Sequence, residues 1–206
     1  MYVTRQEVTV AGGRGTEYLE RTNRLGELVR SQKGFLGRLI LNSFGYPAKY
    51  TALTTWESRE AARAFAMSPQ IATFLRENPL EGMATVTRPM EAYAVIHDVS
   101  SSGEPGSVVL VEWMLDARPG NAAAFEASRK ELFELARKHV PDFVSSGLLR
   151  FLGAANKYLA VRQNTNRDAL APAAPPEVQA YNAAHPATGF ASTPNAAERY
   201  EVIQRI

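Results

Sequence analysis

The chain has no cysteine and only three histidines, His97, His139 and His185. The first absence removes disulfides, thiolate metal sites, iron–sulfur clusters and cysteine nucleophiles together. It fits a reducing compartment, so a cytoplasmic location is expected. The three histidines show no paired spacing with one another or with carboxylates, and no metal site is expected. An excess of one charge is missing too: 23 basic and 21 acidic residues leave a net charge of +2. That is too little, and too evenly spread, for the basic stripe a nucleic-acid partner requires. No run approaches the ~20 apolar residues of a membrane span. The opening "MYVTRQEVTV" alternates like a strand instead of placing a basic flank before an apolar run, so no secretory signal is read. Neither a GxGxxG nor a P-loop pattern occurs. What is left is the composition of an ordinary globular protein, 206 residues with 45% hydrophobic and 21% charged, enough for one domain or two small ones.

What is present is a duplication. "KYTALTTWESREAA" at 49–62 returns as "KYLAVRQNTNRDAL" at 157–170, and Pro69, Pro79 and Tyr93 return as Pro176, Pro186 and Tyr200, a displacement of 107 or 108 residues. Solenoid repeats run at ~20 to 50 residues. A period this long is a small domain written twice. The seam is the Ser/Gly/Pro-rich "DVSSSGEPGS". The division read from it is a first unit over 1–98, a linker over 99–107 and a second, diverged unit over 108–206.

Each half has the same order of patterns. A period-2 stretch (2–10; 108–115) leads through a Gly-rich turn into a segment of helical period, with Leu25, Leu28 and Val29 on one stripe and Phe125, Leu132, Leu135 and Ala136 on its counterpart. Two apolar β runs follow (35–41 and 48–56; 143–149 and 157–164). Ser58 and Asn166 then stand where a short polar side chain caps a helix, and Pro69 and Pro176 open a second short helix. A last strand closes each half, at about 85–97 and about 199–206. The order β-α-β-β-α-β predicts an α+β fold of two tandem ferredoxin-like units. Helices cover one face of each four-stranded antiparallel sheet. The bare face must be buried, and the two sheets of this one chain are expected to pack face to face.

The residues "GFLGRLILNS" (34–43), "KYTALTTWESREAARAF" (49–65) and "SPQ" (68–70) resemble the antibiotic biosynthesis monooxygenase family of the dimeric α/β barrel superfamily. Its members carry Gly-Phe entering the second strand and Trp-Glu-Ser running from the third strand into a helix. The match spans 34–79 and weakens over 106–206, so the chain resembles a fused tandem whose halves form an intramolecular dimeric α/β barrel. Single-unit relatives generally dimerise, and a homodimer of the tandem is a further partner to expect. The resemblance implies one of several chemistries: small oxygenases that oxidise polycyclic aromatic polyketides without metal or flavin, haem-degrading enzymes, or stress-associated proteins. Polyketide cyclases share the superfold. Haem-degrading members place a histidine ligand on the helix after the tryptophan; here that stretch reads "FAMSP" (65–69), which disfavours haem degradation. Where anthrone-type oxygenases flank the tryptophan with Asn and Tyr, this chain has Ala52 and Ala62.

The leading reading is an oxygenase of aromatic polyketide or antibiotic biosynthesis that oxidises an electron-rich polycyclic phenol, anthrone or hydroquinone with O2. It needs no metal or tightly bound cofactor, with reduced flavin from a partner reductase left open. The alternatives are a polyketide cyclase and a non-catalytic ligand-binding or stress-response barrel. In the first unit Trp56 shares a strand face with Tyr50, Ala52 and Thr54; in the second that face reads Tyr158, Ala160, Arg162 and Asn164. Replacing a large aromatic by an amide and adding an arginine calls for polar partners, so the second unit is read as the working site. Arg162 and Asn164 hold the substrate anion, and Tyr158, Tyr181 or His185 move protons, the last two sharing a helix face four residues apart. Asn182 joins them as a binding residue. Tyr50, Trp56 and Arg76 are expected to bind substrate from the first unit, with Arg38, Asn42 and Arg150 as further candidates to hold an oxyanion. Trp113 is read as core.

Overall fold

The computed structural model describes residues 1–101, 109–118, 120–165, 174–194 and 197–206. The chain forms two compact units, Met1–Ala92 with Val202–Ile206, and Tyr93–Glu201.

The first unit contains β1 (Tyr2–Val10), α1 (Gly15–Arg30), β2 (Phe35–Ser43), β3 (Lys49–Trp56), α2 (Arg59–Ala66), α3 (Pro69–Glu77) and the opening part of β4 (Ala84–Ser100). Its strands lie in the order β4-β1-β3-β2, the ferredoxin-like arrangement. The local chemistry expected from the sequence is in place. Ser58 Oγ accepts from Ala61 N at 3.1 Å and Ser68 Oγ accepts from Ile71 N at 3.3 Å, each satisfying a backbone donor that the helix itself leaves open. Pro69 occupies the first turn of α3, where a missing N–H does no harm. The Gly-Phe and Trp-Glu-Ser signatures turn out to be one device. Gly34 sits at φ +79°, which a side chain would strain, and a Cβ there would fall 2.7 Å from Ala61 Cβ on α2. Its carbonyl accepts from Glu57 N at 2.8 Å, so the turn into β2 is stitched to the β3–α2 junction.

The second unit runs from the later part of β4 through β5 (Val109–Ala117), α4 (Ala122–His139), β6 (Phe143–Phe151), β7 (Lys157–Asn164), α5 (Pro176–Ala184), α6 (Ala187–Phe190) and β8 (Ala191–Pro194) into β9 (Glu198–Arg205). Its order β6-β7-β5-β9 repeats that of the first unit. The chain is thus two tandem ferredoxin-like βαββαβ units of α+β class. The short α6 and β8, the latter paired to β5, have no counterpart in the sequence pattern. Packing centres on Phe125, Phe133 and Ala136 of α4 against Leu148, Tyr158 and Ala160 of the sheet. Phe133 falls on the buried stripe where Leu132 and Leu135 were expected, and these are only half-buried.

The structural boundary differs from the one drawn at the seam. β4 is 17 residues long, and from Tyr93 to Ser100 it hydrogen-bonds along β6, Tyr93 facing Phe151 and Ser100 facing Ser145. The second unit therefore begins inside a strand, at 93, before the Ser/Gly/Pro stretch whose residues 102–108 lie outside those described, as does Asn166. Likewise Val202–Ile206 belongs to the first unit, where Arg38 N and O bond with Ile206 O and N, both at 2.9 Å. Side-chain alternation reports a strand's two faces but not which neighbour pairs along its edge, so neither assignment could be read from the repeat.

Candidate functional site

In the first unit a cavity of about 230 Å³ lies between the sheet and its helices. The even-numbered positions of β1 and β3, Thr4, Gln6, Ala52, Thr54 and Trp56, form its sheet wall, and Arg38 projects from β2. Arg38 faces Thr54 across the β2–β3 pair, and Thr54 faces Thr4 across β1–β3, so all belong to one sheet face. The opposite wall is Arg21, Leu25 and Val29 of α1, with Ala62, Phe65 and Ile71 from the shorter helices. Trp56 is 2% exposed and fixed between Phe35, edge-on at 5.8 Å, and Phe65 at 5.4 Å.

The electrostatics of this cavity are one-sided. Arg38 is 7% exposed, and its Nε has no hydrogen-bond partner among the described residues. Burial depresses its pKa to about 10; Tyr18 acts weakly against that shift and Arg21 adds to it, with no carboxylate among the groups that act on it. Arg21 is 5% exposed and also lowered by burial. It is held by its Nε donating to Asn78 O at 2.8 Å and by its guanidinium lying over Phe74 at 5.3 Å. Two buried guanidinium groups thus face an otherwise largely apolar space, and among the described residues no carboxylate or imidazole lines it. A buried cation without a counter-charge is unfavourable unless an anion joins it.

The residues expected to act fall into several places. Trp56 lines the cavity, while Tyr50 packs its ring on Tyr18 at 5.0 Å beside it and is not among the lining residues. Arg76 does not face the cavity. Its side chain is 74% exposed and pairs only loosely with Glu77, at 3.8 Å, because position 76 falls on the outer face of α3. Asn42 is spent on the turn, its Nδ2 donating to Pro47 O and Lys49 O. Of the oxyanion candidates only Arg38 lies in the cavity wall. Arg21 was not foreseen, although an arginine on the helix stripe of Leu25, Leu28 and Val29 was the available signal.

In the second unit, Tyr158 is buried, donates to Glu126 Oε1 at 2.8 Å, and shares that carboxylate with Arg150 at 3.4 Å. Burial and that hydrogen bond push its phenol up to about 12. Tyr181 OH lies 3.0 Å from Ser128 O and 3.1 Å from Glu131 Oε2, with burial raising its pKa. His185 stacks on the Tyr181 ring at 4.4 Å, but the imidazole and Asn182 are exposed. Asn164 is fully buried, and neither amide atom has a hydrogen-bond partner among the described residues. Arg162 is half-buried on the same strand face, its pKa lowered by desolvation. The structure therefore joins Tyr181 to His185 and aligns Arg162 with Asn164, with no hydrogen bond between the two pairs among the described residues. Trp113's side chain lies outside the described residues.

One relation between the units is visible only with the register in hand. Arg38 faces Thr54 across β2–β3, and Ser146 faces Arg162 across β6–β7, the equivalent pair. Each unit keeps one arginine and one hydroxyl at this level of the sheet, but the two have exchanged strands. A second tie is conserved in place: Arg129 Nη2 donates to His185 O at 3.4 Å, as Arg21 donates to Asn78 O.

Comparison with known proteins places the chain in a family. A model of the family described as antibiotic biosynthesis monooxygenase matches residues 1–77. A heme oxygenase (mycobilin-producing) of Mycobacterium tuberculosis is 31% identical over 99 residues, 47% of this chain and 90% of that protein. The chain belongs to the antibiotic biosynthesis monooxygenase family. A candidate monooxygenase of Fusobacterium nucleatum superposes over 99% of this chain and 93% of its own with a TM-score of 0.81 at 12% identity. An anthrone oxidase-like protein does so over 100% and 92% with a TM-score of 0.66 at 14% identity. These two show that the fold extends over the whole chain. No helix among the described residues is long and apolar enough to cross a membrane.

The mycobacterial relative's name raises haem, and the donors of the first unit do not fit it. Haem iron is held by His, Cys, Met or Tyr. The chain has no cysteine, all three histidines lie in the second unit, and among the described residues no tyrosine lines the cavity. The remaining donor, Met90, is 61% exposed at the cavity's edge.

Proposed function

We propose that the first unit's cavity binds the anion of an electron-rich phenol, anthrone or hydroquinone and that its oxidation by O2 takes place there. The observation that carries this reading is Arg38: a buried guanidinium, unmatched by any carboxylate among the described residues, in the wall of a largely apolar cavity. Such a group is a fixed donor for an oxyanion. With Arg21 adding a second positive charge, the cavity selects the ionised form of a weak acid from solution, and the proton departs to water. Among the described residues no carboxylate or imidazole lines the cavity, so the protons that leave the substrate pass to water.

In the proposed reaction the bound anion gives one electron to O2. The radical pair combines to a peroxide, and the peroxide loses water to leave a carbonyl. For an anthrone methylene the balance is one CH2 and one O2 giving one C=O and one H2O, so the four electrons come from the substrate. Arg38 holds the oxyanion throughout, Trp56 and Phe65 wall the ring, and the apolar lining excludes bulk water. The chemistry is assigned to the first unit.

The test is oxygen uptake by the purified protein with a panel of anthrones and naphthohydroquinones, with and without added reduced flavin. Arg38→Met is expected to lower kcat/KM by about 10²- to 10³-fold, the range for loss of an oxyanion donor. Uptake unchanged in Arg38→Met, or product formed without oxygen consumption, would show the proposal to be wrong.

A further inference from the structure

The cavity is a slot with unlike ends. Arg38 stands on β2 and Met90 on β4, and the order β4-β1-β3-β2 puts three strand spacings, about 14 Å, between the strands that carry them. Spread over that span, about 230 Å³ describes a narrow channel. One end holds the buried guanidinium. At the other, Leu75 of α3 and Met90 line the channel yet are 49% and 61% exposed. Further along β4, Val86 is 43% exposed, with Arg88 between it and Met90 reaching Glu7 at 3.9 Å and Glu91 at 3.5 Å. Exposed apolar side chains that prolong a cavity lining are where a ligand's own apolar part comes to rest.

We infer that the substrate is an amphiphile: a phenolic or hydroquinone head of one or two rings, bound as its anion at Arg38, carrying an apolar tail that leaves the slot past Leu75 and Met90. This rests on the reading of the cavity given under Proposed function. The Arg38 side chain occupies part of the 14 Å span, and a small head fills the rest. Leu75 and Met90 are the large exposed apolar side chains among the described lining residues, so the tail leaves past them.

The test uses 2-hydroxy-1,4-naphthoquinone, an anion already oxidised and so not turned over, and its 3-butyl and 3-octyl derivatives, with Kd measured by calorimetry. The butyl compound is expected to bind at least tenfold tighter than the parent, as burial of methylene groups requires. The double variant Leu75→Ser/Met90→Ser should narrow that gap to under threefold, whereas Arg38→Met should weaken all three compounds by a similar factor of ten or more. If parent and butyl compounds bind wild type alike while Arg38→Met weakens both, the tail is refuted and the cavity reading stands. If Arg38→Met weakens neither, the cavity reading itself falls. If the double variant turns a dimer into monomers without narrowing the gap, the strip is a self-association face and the inference is overturned.

Discussion

Removing the buried charge of Arg38 should make the ligand-free protein more stable while disabling it. Burial depresses this guanidinium from the ordinary arginine range to about 10, and each pKa unit is worth about 1.4 kcal/mol between the two protonation states. Keeping Arg38 charged inside the fold at neutral pH therefore costs about 3 kcal/mol relative to the unfolded chain. Methionine retains the apolar stem and discards the charge, so Arg38→Met is expected to raise the unfolding free energy by about 1–3 kcal/mol in urea denaturation. The pH dependence follows from the sign of the shift. A base whose folded pKa is depressed penalises the folded state while it is charged, and the penalty fades as pH rises through about 10 toward the ordinary arginine value. The gap between variant and wild type should accordingly be constant below about pH 9 and shrink above it. Saturation with 2-hydroxy-1,4-naphthoquinone should reverse the order by stabilising wild type more than the variant. A variant less stable than ligand-free wild type at pH 7 would refute the reasoning, because it would mean that Arg38 already has a counter-charge in the fold.

Three further outcomes are expected. Asn164→Leu removes a fully buried amide with no hydrogen-bond partner among the described residues and should stabilise by about 1–2 kcal/mol, read as a higher urea midpoint with oxygen uptake unchanged. Trp56 is one of two tryptophans in the chain and walls the cavity; quenching of intrinsic fluorescence by bound hydroxynaphthoquinone should be largely lost in Trp56→Phe, whereas Trp56→Ala should cost about 3–5 kcal/mol of stability. Tyr158→Phe deletes the 2.8 Å hydrogen bond to Glu126 and should destabilise by about 1–2 kcal/mol without altering kcat/KM for any quinol substrate.

The elements were legible because their signals are local. Ser58, Ser68 and Pro69 mark helix starts through bonds that span three residues, and alternation marks the strands. The repeat then supplied the second unit, where the helical signature is weaker. The site was less legible, since its defining property is a missing partner. Nothing in "GFLGRLIL" says that Arg38 has no carboxylate nearby; that depends on Thr54 facing it across the sheet and on Arg21 arriving from α1. Arg162 and Asn164 drew attention because they depart from the first copy. The register shows the arginine to be a strand exchange with position 146 and the amide to be enclosed. Arg76 and Asn182 failed for a simpler reason: a short helix has an outer face, and sequence alone did not fix which residues occupy it.

The strand segment beside β2 sets a timetable for biosynthesis. Arg38 is aligned by Ile206, which the ribosome adds 168 residues later. At about 5–20 residues per second, the outer edge of β2 waits roughly ten to thirty seconds for Val202–Ile206. During that interval a row of backbone donors and acceptors stands open to other nascent chains. The arginine that is to meet the substrate is thus among the last groups to be fixed, so slowed translation of the second half should lower the yield of active first units.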